Sequence, residues 1–156
     1  MQTTFANLQS AREVAESLLE QTGCAIESGD FDSFRPHFVL PQRVSTHLGT
    51  VTINSTAELF ATFERVRWHY RGLGITNLDR RVLVAMYLDE SSIFVVHCAR
   101  MFRGATEIRR PYKALSTLVN SDGIWRIKKC DYAIKDSLGH NRALYGPQAV
   151  ETRYAS

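Results

Sequence analysis

The sequence predicts an α+β fold in which three N-terminal helices pack on a curved, mainly antiparallel sheet. Apolar residues recur with helical spacing through most of the first half of the chain, interrupted by one short alternating segment. In the second half the period changes to two, and polar turn segments separate four runs that are typical of strands. The predicted order of elements is therefore α-α-β-β-α-β-β-β-β.

The totals describe an ordinary globular chain. Its 156 residues suit one domain, and 44% of them are hydrophobic while 22% are charged. The net charge of +3 comes from scattered basic residues, so we expect no nucleic-acid partner. The N-terminus lacks the apolar centre of a signal peptide and no run reaches membrane-spanning length, so we expect a cytoplasmic protein without membrane contact. The three cysteines have no ligand spacing, which predicts free thiols and no metal ion.

The first two helices follow from apolar spacing and from the residues that stop them. The first is expected from Asn7 to Ile26, and the SGD segment at 28–30 ends it. The segment DFDSFRPHF then predicts a short second helix that either Asp30 or Asp32 can cap. Pro36 and its neighbours end this helix.

A hairpin and a third helix come next. The segment QRVSTHLGTVTIN alternates around a turn containing glycine, and Pro41 before it is tolerated only at a strand start or edge. The segment Ser55–Glu58 matches a capping box, which places the start of the third helix. Gly72 or Gly74 ends it.

Four strands complete the predicted domain. They are RRVLVAMYL, IFVVHCARMF, YKALSTLV and IWRIKKCDYAI, joined by turn segments short enough for an antiparallel meander. We expect a single domain over residues 1–135. Residues 136–156 are expected to form an irregular or partner-stabilised tail.

Pairing the strands through their turns gives an expected register. A two-residue loop at Glu90–Ser91 and the two turns that follow it fix which residues face one another. The expected pairs are Val84 with His97, Arg81 with Arg100, Ala114 with His97, and Ile127 with Ser116.

This register sorts the sheet into two faces. The core face is expected to hold Val82, Val84, Met86, Leu88, Ile93, Val95, His97, Ala99, Met101, Tyr112, Ala114, Ser116, Leu118, Trp125 and Ile127. The other face mixes apolar and basic groups, which suits a subunit interface with a basic rim. We expect a homo-oligomer, either a homodimer or a higher oligomer, to form through Arg81, Tyr87, Phe94, Val96, Arg100 and Phe102. Because Arg81 faces Arg100 in this register, the two form an unpaired basic spot.

The order of these elements, with GDFDSF opening the second helix and DGIWRI opening the last strand, resembles the nuclear transport factor two-like and SnoaL-like superfamily over residues 7–134. The resemblance implies a cone-shaped, cystatin-like fold whose curved sheet wraps a helix and leaves an internal pocket. Its members include polyketide cyclases, ketosteroid isomerases, dehydratases, dioxygenase small subunits and non-catalytic association domains, so the fold leaves function open. The carboxylate base of the isomerases has no counterpart, because Phe38–Gly49 contains no Asp or Glu.

A candidate site centres on His97. Its expected neighbours Ala99 and Ala114 are small, which leaves room for a pocket. We expect His97, Tyr112 and Asp131 to be catalytic, with Asp131 orienting His97 as a base and Tyr112 acting as acid or oxyanion donor. The expected ligand-binding residues are Val84, Met86, Ser116, Trp125, Phe63, Tyr70 and Tyr132. The alternative for His97 is a core histidine bonded to a hydroxyl or a backbone group.

The register of the last strand leaves the role of Asp131 open. Strict alternation from Ile127 turns Lys129 and Asp131 inward. A bulge at Lys128–Lys129 turns both lysines outward, and it brings in Cys130, Tyr132 and Ile134 instead. Burying Lys129 without a partner is costly, which favours the bulge.

Two functions from different classes fit these residues. The first is binding of a small hydrophobic molecule, polycyclic or carbonyl-bearing, with cofactor-independent proton transfer of the cyclase, isomerase or dehydratase type. The second is a non-catalytic oligomeric or accessory module, because WRIKKCDYAIKD faintly resembles the last strand of dioxygenase small subunits. Neither function requires a cofactor.

Overall fold

The structure of the protein is a computed structural model that describes residues 9–134 and 138–146. Its helices are α1 (Ala11–Ser28), α2 (Phe31–Phe34), α3 (Thr56–Leu73) and α4 (Leu138–Tyr145), with a 3₁₀ turn at Arg35–His37. Its strands are β1 (Phe38–Thr46), β2 (Gly49–Ile53), β3 (Asn77–Asp89), β4 (Ser92–Arg103), β5 (Thr106–Glu107), β6 (Tyr112–Ser121) and β7 (Ile124–Ala133). The α+β class and the predicted order of elements are confirmed, with β5 and α4 in addition.

Side-chain caps fix the helix starts. Asp30, rather than Asp32, caps α2 by accepting a hydrogen bond from the Ser33 backbone N–H at 3.2 Å. At the start of α3, the Ser55 hydroxyl accepts from the Glu58 N–H at 3.1 Å and the Glu58 carboxylate accepts from the Asn54 N–H at 2.6 Å. Asn7 lies outside the described residues, and α1 begins at Ala11.

All the described strands belong to one sheet with the order β2-β1-β7-β6-β4-β3, and β5 pairs with β4 at one end. Only β1 and β7 run parallel, while the other described pairs are antiparallel. Pro41 lies within β1, at a break in its pairing with β7 between Phe38 and Arg43. A proline is tolerated there because no ladder hydrogen bond needs its missing N–H.

Two bulges in β3 change the predicted register against β4. The turn at Glu90–Ser91 is as expected, but Leu88 and Leu83 are each an extra residue in β3. His97 therefore pairs with Val82 and not with Val84. The same shift corrects two further expectations. Arg100 pairs with Asp79 rather than with Arg81, and the side chains of Val84 and Met86 lie on the exposed face of the sheet.

Arg12 of α1 occupies main-chain acceptors beside the Leu83 bulge. Its guanidinium donates to the carbonyl of Val82 at 3.0 Å and to that of Leu83 at 3.4 Å. A bulge leaves a strand carbonyl without its ladder partner, and this side chain supplies one donor in its place.

The register of β7 is also set by a bulge. The turn before it has two residues, Asp122 and Gly123, both with positive φ, so Ser121 pairs with Ile124. Lys128 is then an extra residue, and Ser116 pairs with Cys130 rather than with Ile127. The pairing of Ala114 with His97 is as predicted, because β4 and β6 contain no bulge over that stretch.

The face of the sheet that packs against the helices, here called the inner face, carries two clusters of buried side chains. One lies under α3 and contains Phe34, Val44, Ile53, Leu59, Phe63, Val66, Ala99, Met101, Tyr112 and Ile134. The other lies under α1 and contains Val14, Leu18, Val82, Ile93, Val95, Leu118, Ile127 and Cys130. All three cysteines are free, as expected.

Three of the residues that were expected on the outer face differ from their prediction. Tyr87 lies on the inner face instead, where its hydroxyl donates to the carbonyl of Gln9 and its ring packs edge-on against Trp125. The expected unpaired basic spot does not form. Arg100 makes a bidentate ion pair with Glu107 at 2.9 and 3.0 Å, and Arg81 pairs with Asp79 at 3.2 Å.

The segment expected to be an irregular tail contains a helix. Residues Leu138–Tyr145 form α4, which packs against α3 and buries His140, Asn141, Ala143 and Leu144. Ala143 and Leu144 give α4 a buried side. The segment is short and mixes polar with apolar residues, so its sequence shows no clear helical period. Residues 135–137 and 147–156 of the expected tail lie outside the described residues, and the expected domain limits stay a prediction.

Candidate functional site

A cavity of about 70 Å³ lies between the inner face of the sheet and the helices α3 and α4. Strands β1, β3, β4, β6 and β7 contribute its floor, and the aromatic side chains that follow α1 form one wall. Its lining consists of Ile26, Phe34, Phe38, Gln42, Val44, Ile53, Leu59, Thr62, Phe63, Val66, Tyr70, Leu78, Arg80, His97, Tyr112, Tyr132, His140 and Leu144. The cavity is therefore mostly apolar, with a few polar groups among hydrocarbon.

The cavity brings together half of the residues expected to form a site. They are His97, Tyr112, Phe63, Tyr70 and Tyr132. These residues come from four elements of the fold. Alternate side chains of β4 and β6 point to the inner face, and one face of α3 packs over them, so the residues meet in one place.

The other expected residues lie elsewhere. Asp131 is on the opposite face of β7 from Cys130 and Tyr132, because the Lys128 bulge reverses the parity of the strand. Val84 and Met86 are 44% and 47% exposed on the outer face. Ser116 is buried and lies 3.5 Å from the Cys130 thiol, and Trp125 packs with Tyr87 under α1. None of the five lines the cavity.

His97 is buried, with only 4% of its surface exposed. Its Nδ1 has no hydrogen-bond partner among the described residues, so the expected hydroxyl or backbone partner is not found at that atom. Burial, with a smaller contribution from the positive charge of Arg80, lowers the pKa of His97 to about 3. The imidazole is therefore neutral at physiological pH.

Gln42 was not expected in the site, although it alternates with the buried Val44 along β1. It is 3% exposed, and its Nε2 lies 3.9 Å from the sulfur of Cys130. Its Oε1 has no hydrogen-bond partner among the described residues. Two side chains of the cavity wall, Gln42 and His97, thus each hold a buried polar atom that the described protein leaves unsatisfied.

Three phenols and a second histidine border the same space. The Tyr70 hydroxyl lies 3.3 Å from Nε2 of His140, and the ring of Tyr112 packs edge-on against the His140 ring at 5.3 Å. Burial raises the pKa of Tyr70, and it raises the pKa values of Tyr112 and Tyr132 strongly. All three tyrosines stay protonated and keep an O–H donor.

Arg80 is the one charged side chain among the cavity-lining residues. It enters from β3, where it pairs with Ala99 and has the same inward parity as Val82. The sequence predicts a strand that begins at Arg80. The strand instead begins at Asn77, and alternation from Val82 then directs Arg80 inward.

The chemistry of the lining favours hydrogen bonding over proton transfer. A neutral histidine, three protonated phenols and a guanidinium hold N–H or O–H groups, and the unsatisfied atom of the Gln42 amide, Oε1, is an acceptor. Within the described part of the chain no Asp or Glu lines the cavity, and no three His, Cys, Asp or Glu side chains are grouped as a metal site. None of the helices between residues 9 and 146 that the structure describes combines the length and apolar character needed to cross a bilayer.

Comparison with known proteins identifies the fold. No protein-family model matches the sequence, and no curated protein matches it either. A domain of unknown function with a cystatin-like fold from Nostoc punctiforme superposes with a TM-score of 0.64 at 18% identity, covering 95% of each chain. A nuclear transport factor two-like protein of unknown function from Shewanella oneidensis gives a TM-score of 0.62 at 16% identity, over 78% of this chain and 98% of the other.

A third structure, a nuclear transport factor two-like protein from Novosphingobium aromaticivorans, gives a TM-score of 0.61 at 17% identity, over 86% of this chain and 88% of the other. At these identities the likeness is one of fold. The protein has the cystatin-like, nuclear transport factor two-like fold, and the predicted fold is confirmed.

Proposed function

We propose that the protein binds a small, mostly apolar molecule with a hydrogen-bonding oxygen in the cavity of its cone. The supporting observation is the pair of unsatisfied buried atoms, Nδ1 of His97 and Oε1 of Gln42, in the wall of a single cavity. A buried polar atom without a partner costs about 1–3 kcal/mol. A ligand that satisfies these atoms recovers that cost on binding.

Binding without proton transfer fits this lining better than catalysis does. A general base works best when its pKa lies near the operating pH, whereas the pKa of His97 is about 3. Asp131, the carboxylate expected to orient His97, is on the other face of the sheet. His97 and Tyr112 act in this proposal as hydrogen-bonding groups that orient the ligand.

The size of the cavity favours a small ligand over a polycyclic one. Its volume of about 70 Å³ is well below the roughly 300–1,000 Å³ that is typical of sites for drug-sized molecules. The aromatic and branched side chains around it match a compact ring or a branched chain.

A thermal-shift measurement with two neutral fragments, cyclohexanol and benzamide, tests the proposal, because each has a donor for Oε1 of Gln42 and an oxygen that accepts. We expect His97→Leu and Gln42→Leu to leave the unliganded protein as stable as the wild type or more stable, because each removes an unsatisfied buried atom. Both substitutions should abolish the shift that the fragments produce. His37→Leu is the matched control, since His37 is half-buried outside the cavity and should leave the shift unchanged.

An absence of any shift in the wild type would contradict the proposal. An equal shift in His97→Leu, Gln42→Leu and the wild type would contradict it as well, because binding would then take place elsewhere.

The outer face supports a second function, self-association. Val84 and Met86 of β3 pair with Val96 and Phe94 of β4, and together they form an apolar stripe that we call the outer stripe. Val84 and Met86 are nearly half exposed. Exposed apolar surface of this kind marks interaction sites, and we propose that a second copy of the chain covers it. The outer stripe includes Phe94 and Val96 of the expected interface. It does not include Tyr87, which packs against Trp125 on the inner face.

A further inference from the structure

We propose that Arg80 makes the cavity an anion site, so that the ligand is a small carboxylate with an apolar remainder. This inference rests on the proposed function and adds the chemical class of the ligand to it.

The guanidinium of Arg80 is only partly used by the protein. Its Nη2 donates to the carbonyl of Leu19 and, at 2.9 Å, to the hydroxyl of Thr22, both on α1. These two bonds hold the side chain against α1. Its Nε and Nη1 have no acceptor among the described residues, although a guanidinium has five N–H donors in a fork that matches a carboxylate.

No carboxylate of the described residues forms an ion pair with Arg80. The neighbouring arginines on the outer face are paired, Arg81 with Asp79 and Arg100 with Glu107, whereas Arg80 takes part in no ion pair among the described residues. The lining of the cavity contains no acidic side chain. Arg80 is half-buried, and a bound carboxylate would supply the close counter-charge that no described side chain supplies.

The surroundings of Arg80 favour an anion on the cavity side. The other side of Arg80 borders an open groove between α1 and β3, which is also lined by Glu16, Glu20 and Glu27. These carboxylates repel an anion from the groove, and none of them lies within 4.0 Å of the guanidinium. On the cavity side the neighbouring side chains are neutral, among them His97, Tyr70 and Tyr112.

The apolar part of the proposed ligand would contact aliphatic and aromatic side chains. Opposite the polar groups the cavity is lined by Phe34, Phe63, Leu59 and Val66, all less than 9% exposed. A benzene ring or a short branched chain fits this combination, with its carboxylate towards β3.

The test compares matched acids and amides, benzoate with benzamide and isobutyrate with isobutyramide, by titration calorimetry on the full chain. We expect the wild type to prefer each acid over its amide by about tenfold or more, because one desolvated charge pair distinguishes them. Arg80→Gln should remove this preference while it keeps the affinity for the amides. Arg80→Lys, which keeps the charge without the fork, should keep a reduced preference.

Arg12→Gln is the control, because Arg12 also joins α1 to the backbone of β3 but does not line the cavity. It should prefer the acids as the wild type does. The inference is overturned if the wild type binds the amides as tightly as the acids, or if Arg80→Gln keeps the preference. Amide binding without acid preference leaves the proposed function standing and removes only the inference, whereas binding of none of the four probes removes both.

Discussion

At the scale of single residues, the protein keeps polar groups where an apolar side chain would be more stable. His97, Gln42 and Arg80 each place at least one hydrogen-bonding atom without a described partner at the cavity. Residues of similar volume without polar atoms would pack there at lower cost. This pattern is typical of sites where stability has been given up for binding.

The buried histidines predict how stability depends on pH. His97 and His140 have a pKa of about 3 in the folded chain, against about 6.5 when unfolded. The unfolded chain therefore takes up protons first, and the free energy of unfolding should fall as the pH drops below about 6.5 and go on falling towards about 3. Each histidine contributes up to about 1.4 kcal/mol per pH unit.

Urea denaturation at pH 7 and pH 5 measures this slope. His97→Leu should remove the contribution of His97 and leave a shallower dependence. A slope identical to that of the wild type would show that His97 does not titrate as its burial requires.

At the scale of elements, bulges determine which side chains meet. Alternation predicted the inner face of β4 correctly, including His97, because β4 pairs with β6 without an extra residue. The same reasoning failed for Val84 and Met86, since nothing in the sequence of β3 marks Leu83 and Leu88 as bulges. For β7, the cost of burying Lys129 did predict the bulge, and the bulge places Asp131, which was still expected to be catalytic, on the other face of the sheet.

Helix α4, which the sequence did not predict, forms part of the cavity wall. His140 and Leu144 line the cavity, and Leu144 is 6% exposed. Leu144→Ala should lower the free energy of unfolding by about 2–5 kcal/mol, because it removes buried methyl groups and enlarges a cavity that is already present.

Chemical denaturation with amide hydrogen exchange along α4 checks this prediction. Arg142→Ala, at an exposed position of the same helix, should change the stability by less than about 0.5 kcal/mol. Equal effects of the two substitutions would mean that α4 is not docked on the core.

At the scale of the whole molecule, the fold was predictable and the contents of its cavity were not. The order of helices and strands follows from local periodicity, which one sequence displays fully. The cavity wall joins β1, β4, β6 and α4, and the pairing of β1 with β7 that brings Gln42 near His97 is a parallel, long-range contact. Such a contact leaves no local signal, so Gln42 was not expected in the site. Arg80 was missed for another reason, since the predicted β3 started at Arg80, whereas alternation from Val82 directs its side chain inward.

The outer stripe gives a prediction about the assembly. We expect the wild type to sediment as an oligomer of identical chains, and Val84→Glu combined with Met86→Glu to sediment as a monomer, because a charge in an apolar contact is costly. Trp68→Glu is the control, since Trp68 is an exposed apolar residue on α3 at 65% exposure. A wild type that is monomeric at high concentration would contradict the prediction.

The bulges at Leu83, Leu88 and Lys128 also bear on how chains with this fold diverge. Inserting or deleting one residue in a strand exchanges the inward and outward side chains of everything up to the next irregularity, without altering a single residue type. A gap of one position in an alignment of two such sequences therefore changes the lining of the cavity more than several substitutions do. Lineages can acquire new ligands through the length of a strand as well as through its composition.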